Sequence, residues 1–103
     1  MTLAIQHIFK TNGTYLGFIQ NGFIFSRDGK YLGWIESQFA WDGAGKFRGT
    51  LMTVMGHEYI LLNKLGIVPL PKTPRISNDN PMLPPPPPNI PAIALLLGWA
   101  DAF

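Results

Sequence analysis

Cysteine is absent from this chain, which excludes disulfides and thiol chemistry and leaves the redox compartment open. Charge is scarce: only 14% of residues are Asp, Glu, Lys or Arg, against roughly 25% in an ordinary globular domain. The eight Lys and Arg are scattered from Lys10 to Arg75 and face six Asp and Glu, for a formal +2. That is too thin for the basic stripe that nucleic-acid binding needs, so no nucleic-acid partner is expected. Long hydrophobic runs are missing as well. The longest, Ile93 to Ala100, is far shorter than the about 20 residues of a spanning helix, so no membrane partner is expected. Met1 to Lys10 lacks the basic start and continuous apolar stretch of a signal peptide, and cytoplasmic residence is the expectation.

What is present is apolar. Hydrophobic residues make up 47% of 103 positions, with 11 Gly and 10 Pro beside them. A chain of this length forms about one domain and buries only some two thirds of its unfolded surface. So little charge on so small a body points to self-association or to a partner.

The chain repeats itself. Gly13-Thr14-Tyr15-Leu16-Gly17, Gly29-Lys30-Tyr31-Leu32-Gly33 and Gly45-Lys46-Phe47-Arg48-Gly49 follow one another at a spacing of sixteen residues. Ile8-Phe9, Phe23-Ile24-Phe25 and Phe39-Ala40-Trp41 precede them in register. Asn12-Gly13, Asn21-Gly22 and Asp28-Gly29 are dipeptides suited to type I′ turns, so the pattern predicts a meander of antiparallel hairpins. Two-residue loops would pair Phe9 with Leu16 and Ile8 with Gly17, then Phe18 with Phe25 and Ile19 with Ile24. The third loop would pair Phe25 with Leu32, Ile24 with Gly33 and Phe23 with Trp34.

Alternation along such strands sorts the side chains onto two faces. One is aromatic, with His7, Phe9, Leu16, Phe18, Phe23, Phe25, Leu32, Trp34, Phe39 and Trp41. The other is aliphatic, with Ile8, Tyr15, Gly17, Ile19, Ile24, Tyr31, Gly33, Ile35 and Ala40. Neither is polar, whereas a lone antiparallel sheet normally keeps one wet face. Both therefore need cover, from the sheet closing on itself, from the C-terminal segment or from another subunit. Gly17, Gly33 and Gly49 recur mid-strand, where glycine marks sharp curvature or close backbone approach, and strong coiling favours a barrel-like or radial arrangement.

Past Gly49 the pattern decays. Thr50 to Thr53 continues a strand, and Met55 to Leu62 reads as a further strand or a degenerate fourth unit, closed by Asn63-Lys64-Leu65-Gly66. From Pro69 to Pro91 the composition turns to Pro, Asn and Ser and includes the run Pro84 to Pro88. Proline supplies no amide donor, so this stretch should be extended and outside any sheet. Ile90 to Phe103 is apolar again and should dock on an uncovered face. The organisation expected is thus a repeated β-hairpin domain over 1–66, a Pro-rich extended linker over 67–91 and an apolar docking segment over 92–103.

The units Tyr15-Leu16-Gly17-Phe18-Ile19 and Tyr31-Leu32-Gly33-Trp34-Ile35, with the Pro-rich stretch and the terminal Gly98-Trp99, resemble the four-fold β-flower family of small bacterial proteins. The likeness covers roughly residues 7 to 62 and the tail. Glycine-aromatic hairpin repeats also occur in MORN- and WG-repeat proteins, whose periods differ. The resemblance implies a radial all-β assembly and carries no catalytic residues to transfer. The third unit departs from it, with Arg48 and Thr50 where Leu and an aromatic stood, which places a polar patch or an interface edge there.

Chemistry is harder to find. His7 and His57 are the two histidines, and strand alternation sends His57 and Glu58 to opposite faces, whereas a metal site needs three or four convergent ligands. Asp28, Asp42 and Asp101 could supply an acid/base pair, but Asp28 and Asp42 precede turn glycines and have structural work there. Ser26 and Ser37 lack a nucleophile-elbow context. Gly43, Gly45 and Gly49 have no following Lys-Ser/Thr to make a phosphate cradle. No enzyme, metal or cofactor is expected. The candidate ligand-binding residues are Trp34, Trp41, Tyr59 and His57, whose rings could stack on a sugar or receive a Pro-rich peptide instead of filling the core. The Pro84 to Pro88 run could be a ligand for such a groove or a plain spacer. The leading expectation is a non-enzymatic structural or interaction module that forms a homo-oligomer, a tetramer by preference. The alternative is a carbohydrate- or Pro-rich-peptide-binding module.

Overall fold

The computed structural model describes residues 5–77, 81–95 and 97–103. Expectations that fall on residues 1–4, 78–80 and 96 lie outside them. The described residues are all-β: β1 (Ile5–Phe9), β2 (Tyr15–Gln20), β3 (Phe23–Ser26), β4 (Tyr31–Glu36), β5 (Phe39–Asp42), β6 (Phe47–Val54), β7 (His57–Asn63) and β8 (Trp99–Asp101). No helix among them is long and apolar enough to cross a membrane. Each strand pairs antiparallel with the next, and β1 also pairs in parallel with β7, Ile8 opposite Glu58 and Phe9 opposite Tyr59. Seven strands thereby close into a mixed barrel, with β8 added beside β7.

Two kinds of turn alternate around it. Asn21 (φ 54°) with Gly22 (φ 79°) forms the expected type I′ turn, and Ser37–Gln38 and Met55–Gly56 adopt the same positive φ values. The turns ending at Gly13, Gly29 and Gly45 are different. In each, the glycine alone has positive φ and donates its N–H to the carbonyl three residues back, Lys10, Ser26 or Asp42. These are type I turns followed by a glycine bulge, not the type I′ turns expected at Asn12-Gly13 and Asp28-Gly29. Side chains hold them: Ser26 Oγ accepts from the N–H groups of Asp28 and Lys30, and Asp42 Oδ1 from those of Ala44 and Lys46.

The extra residue shifts the register at Ile8/Phe9, Ile24/Phe25 and Ala40/Trp41. Ile8–Gly17, Phe18–Phe25, Ile19–Ile24, Phe23–Trp34 and Ile24–Gly33 pair as expected. Phe9 and Phe25, however, oppose Tyr15 and Tyr31 instead of Leu16 and Leu32. A one-residue slip exchanges faces. Leu16 and Leu32 therefore pack on the aliphatic side, while Tyr15 joins Phe9, Tyr59 and Leu61 on the aromatic one.

The aliphatic face is the barrel core. Ile8, Ile24, Ala40 and Ile60, the same position in four successive hairpins, are buried together with Ile19 and Ala102. The fourth hairpin is β7 with β8, and Ala102 N–H bonds the Ile60 carbonyl where the mid-strand glycines stand in the other three. Those glycines answer to close approach: a β-carbon at Gly33 would collide with the Trp41 carbonyl of the following hairpin, and one at Gly17 with that of Phe25. Arg48, the departure in the third unit, donates to the Ala102 carbonyl at 2.6 Å and lies 4.4 Å over the Phe103 ring, so it anchors the fourth hairpin.

The turn of that fourth hairpin is expanded into residues 64–98. The described part contains neither helix nor strand and runs as a strap past the three glycine-bulge turns in reverse order. Lys72 and Arg75 N–H bond the carbonyls of Gly45 and Gly43; Pro81 and Leu83 lie beside Gly29; Ile90 and Ile93 N–H bond those of Gly13 and Thr11. Proline at 74 and 91 sits between the donors of each pair, where no N–H is required.

Candidate functional site

The aromatic face looks outward and the strap crosses it. Trp34 on β4 and Trp41 on β5 are cross-strand partners whose rings stack at 6.5 Å with 20° between planes. Both are buried, at 1% and 3% exposure, because the strap caps them: Arg75 lies 4.8 Å over Trp34 and Lys72 5.1 Å over Trp41. Glu36, two residues beyond Trp34, pairs with Lys72 at 2.8 Å and with Arg75 at 3.5 Å. Its carboxyl is held below the ordinary glutamate range, first by the hydrogen bond from Lys72 and further by the charges of Lys72 and Arg75. Trp34 Nε1 donates to Glu36 at 3.4 Å, whereas the buried Nε1 of Trp41 meets no acceptor among the described residues. Trp41 also lines an open cavity of about 460 Å3 with Phe39, Pro69 and Leu70.

Tyr59 and His57 are placed elsewhere, on β7. Tyr59 is buried among Phe9, Tyr15 and Leu61, and burial raises its phenol pKa, with Asp101 adding to the effect. His57 is half-buried edge-on to Phe9 at 5.3 Å, beside Pro87 in a smaller cleft. The four candidate ligand residues thus divide into a tryptophan pair under the strap and a separate Tyr59–His57 region. Glu58 accepts from Thr53 Oγ1, and Asp101 accepts from Thr11 N–H and Oγ1 at 3.0 and 2.7 Å, which ties β8 to the first turn. No cluster of three or more metal-ligating side chains occurs among the described residues.

A second concavity was not anticipated from sequence. Met52, Val54, Met55, Leu61, Ile93, Leu95 and Trp99 line an open apolar groove of about 510 Å3 where the end of the strap meets β6 and β7. Its rim carries Met55, 87% exposed and held at φ 51°, a conformation that asparagine or glycine adopts far more readily. Its signal in the sequence is the apolar stretch Ile90 to Phe103. Lys72 and Arg75, the two cations inside the Pro-rich segment, lie beside Glu36, the sole carboxylate of β4.

The 4-fold beta flower protein family matches residues 2–102. The chain belongs to that family. Neither the curated proteins nor the solved structures yield a match. In this β-flower protein the petals are the four hairpins, and the strap runs across the tips of three of them.

Proposed function

We propose that this β-flower protein is a non-catalytic interaction module that associates with copies of itself through the apolar groove. The groove carries the reading: an outward-facing apolar concavity of about 510 Å3 on a body with little charge, with an exposed Met55 kept at its rim at a backbone cost. Leu65, Ile67, Val68 and Leu70 on the start of the strap are exposed as well, Ile67 at 99%. A groove on one copy that receives this apolar edge of the other satisfies the reciprocal geometry of a two-fold dimer. The four hairpins belong to one chain, so four-fold character gives no reason to prefer a tetramer over that simpler closed form. Sedimentation equilibrium at micromolar concentration should give a mass above that of the monomer, with Ile67→Asp and Met55→Asp each returning it to one copy. A stable, soluble monomer of the unmodified chain would remove the proposal. A carbohydrate site on the Trp34 and Trp41 rings has less support, since Lys72 and Arg75 of the strap already cover both.

A further inference from the structure

The strap segment over the tryptophans reads Pro71-Lys72-Thr73-Pro74-Arg75. Two prolines three apart followed by a cation is the pattern that extended, Pro-rich peptides present to aromatic grooves, where a carboxylate at the groove's end selects the charge. The surface beneath it supplies both halves of such a receptor: the stacked Trp34–Trp41 pair and the carboxylate of Glu36. We propose that the Trp34–Trp41–Glu36 trough is a receptor for cationic Pro-x-x-Pro-Arg segments of other polypeptides, and that residues 71–75 occupy it in cis as a built-in competitor.

Three observations separate this from simple packing of a loop. The cis segment fits incompletely, because the cavity between Phe39, Trp41, Pro69 and Leu70 stays open and Leu70 at its edge is left 85% exposed. The buried Trp41 N–H meets no acceptor among the described residues, and a carbonyl of a better-seated peptide backbone would provide one. The ties holding the segment are of the replaceable kind: ion pairs of Lys72 and Arg75 with Glu36 in which all three side chains are more than a third exposed, and backbone bonds to Gly43, Gly45 and the Tyr31 hydroxyl. A segment tethered this way competes at an effective concentration on the order of millimolar, so a partner in trans binds weakly until the tether is weakened.

The test is a titration of a fluorescently labelled peptide spanning residues 69–76 into the full chain and into the Lys72→Ala/Arg75→Ala chain, its fold checked by circular dichroism. Anisotropy should show the double variant binding at least tenfold more tightly than the unmodified protein, with Glu36→Gln added to it reversing most of the gain. A second readout needs no variant. In the unmodified protein at millimolar peptide, the indole N–H resonance of Trp41 should move downfield as it gains an acceptor, while that of Trp99 in the apolar groove stays put. Equal binding to both chains, equal binding of a peptide with both cations replaced by alanine, or movement of the Trp99 resonance alone would each overturn the proposal. Self-association changes the anisotropy of the bound state but not the affinity ratio between the two chains or the Trp41 shift, and the Trp99 resonance reports any peptide in the apolar groove, so self-association can fail while the receptor stands.

Discussion

At the residue scale, the glycines divide by what surrounds them. Gly33 has the Trp41 carbonyl against the place a β-carbon would take, and Gly56 has open space around it and φ 83°. Gly33→Ala should therefore cost at least the upper end of the roughly 1–3 kcal/mol of an overpacked site, because backbone must move. Gly56→Ala should cost only the about 1 kcal/mol of a left-handed alanine. Urea unfolding of the two variants gives the comparison, and equal costs would refute close approach as the role of Gly33. Met55 makes the opposite case. Met55→Asn should raise stability by about 0.5–1 kcal/mol, since asparagine tolerates φ 51°, yet lower the mass seen in sedimentation. A gain in stability with no change in mass would leave the strain at Met55 without its proposed purpose.

At the element scale, the strap is tethered by groups that titrate. The Glu36 carboxyl in the folded protein sits below its unfolded value. Its contribution is thus fully present above the ordinary glutamate value of about 4.3 and is lost as pH falls through the depressed folded value. Tryptophan emission should report strap release in that acid window, before the barrel unfolds, and Glu36→Gln should abolish the separate step. Asp101→Ala should leave the nearly buried Thr11 without an acceptor for its N–H and hydroxyl at a cost of about 1–3 kcal/mol. Amide exchange should quicken across β8 and the 90–95 stretch first. The hairpins were legible because Ile8, Ile24 and Ala40 recur at one spacing with their turn glycines. The bulges were not, because Asn12-Gly13 suits either turn type. Asp42-Gly43-Ala44-Gly45, with its glycine at the fourth position and a carboxylate at the first, held the clue to all three. Ser37–Gln38 turns without a glycine or asparagine to announce it, and β8 has only three residues in which to show a period. Trp34 and Trp41 stand out in the sequence as large rings of one strand face, but their burial under Lys72 and Arg75 depends on a route that spacing cannot reveal.

At the scale of the whole molecule, two apolar faces receive two kinds of cover. The aliphatic face is covered by closure of the barrel at β1 and β7, and the aromatic face by the strap, with a groove and a trough left over. Core truncation should therefore act on the whole body. Ile24→Ala, at a fully buried position, should cost about 2–5 kcal/mol in one cooperative urea transition; a shallow, two-step loss would mean that the hairpins are stable apart. The parallel contact of Ile8 with Glu58 and Phe9 with Tyr59 joins strands far apart in sequence, so the slow step of folding should be the seam itself. That seam has a consequence during synthesis. The first hairpins leave the ribosome with a bare aliphatic sheet that cannot be sealed until β7 follows, and their aromatic backs wait longer still for the strap and β8. Throughout that interval the nascent meander exposes apolar surface and unpaired strand edge of the kind that aggregates.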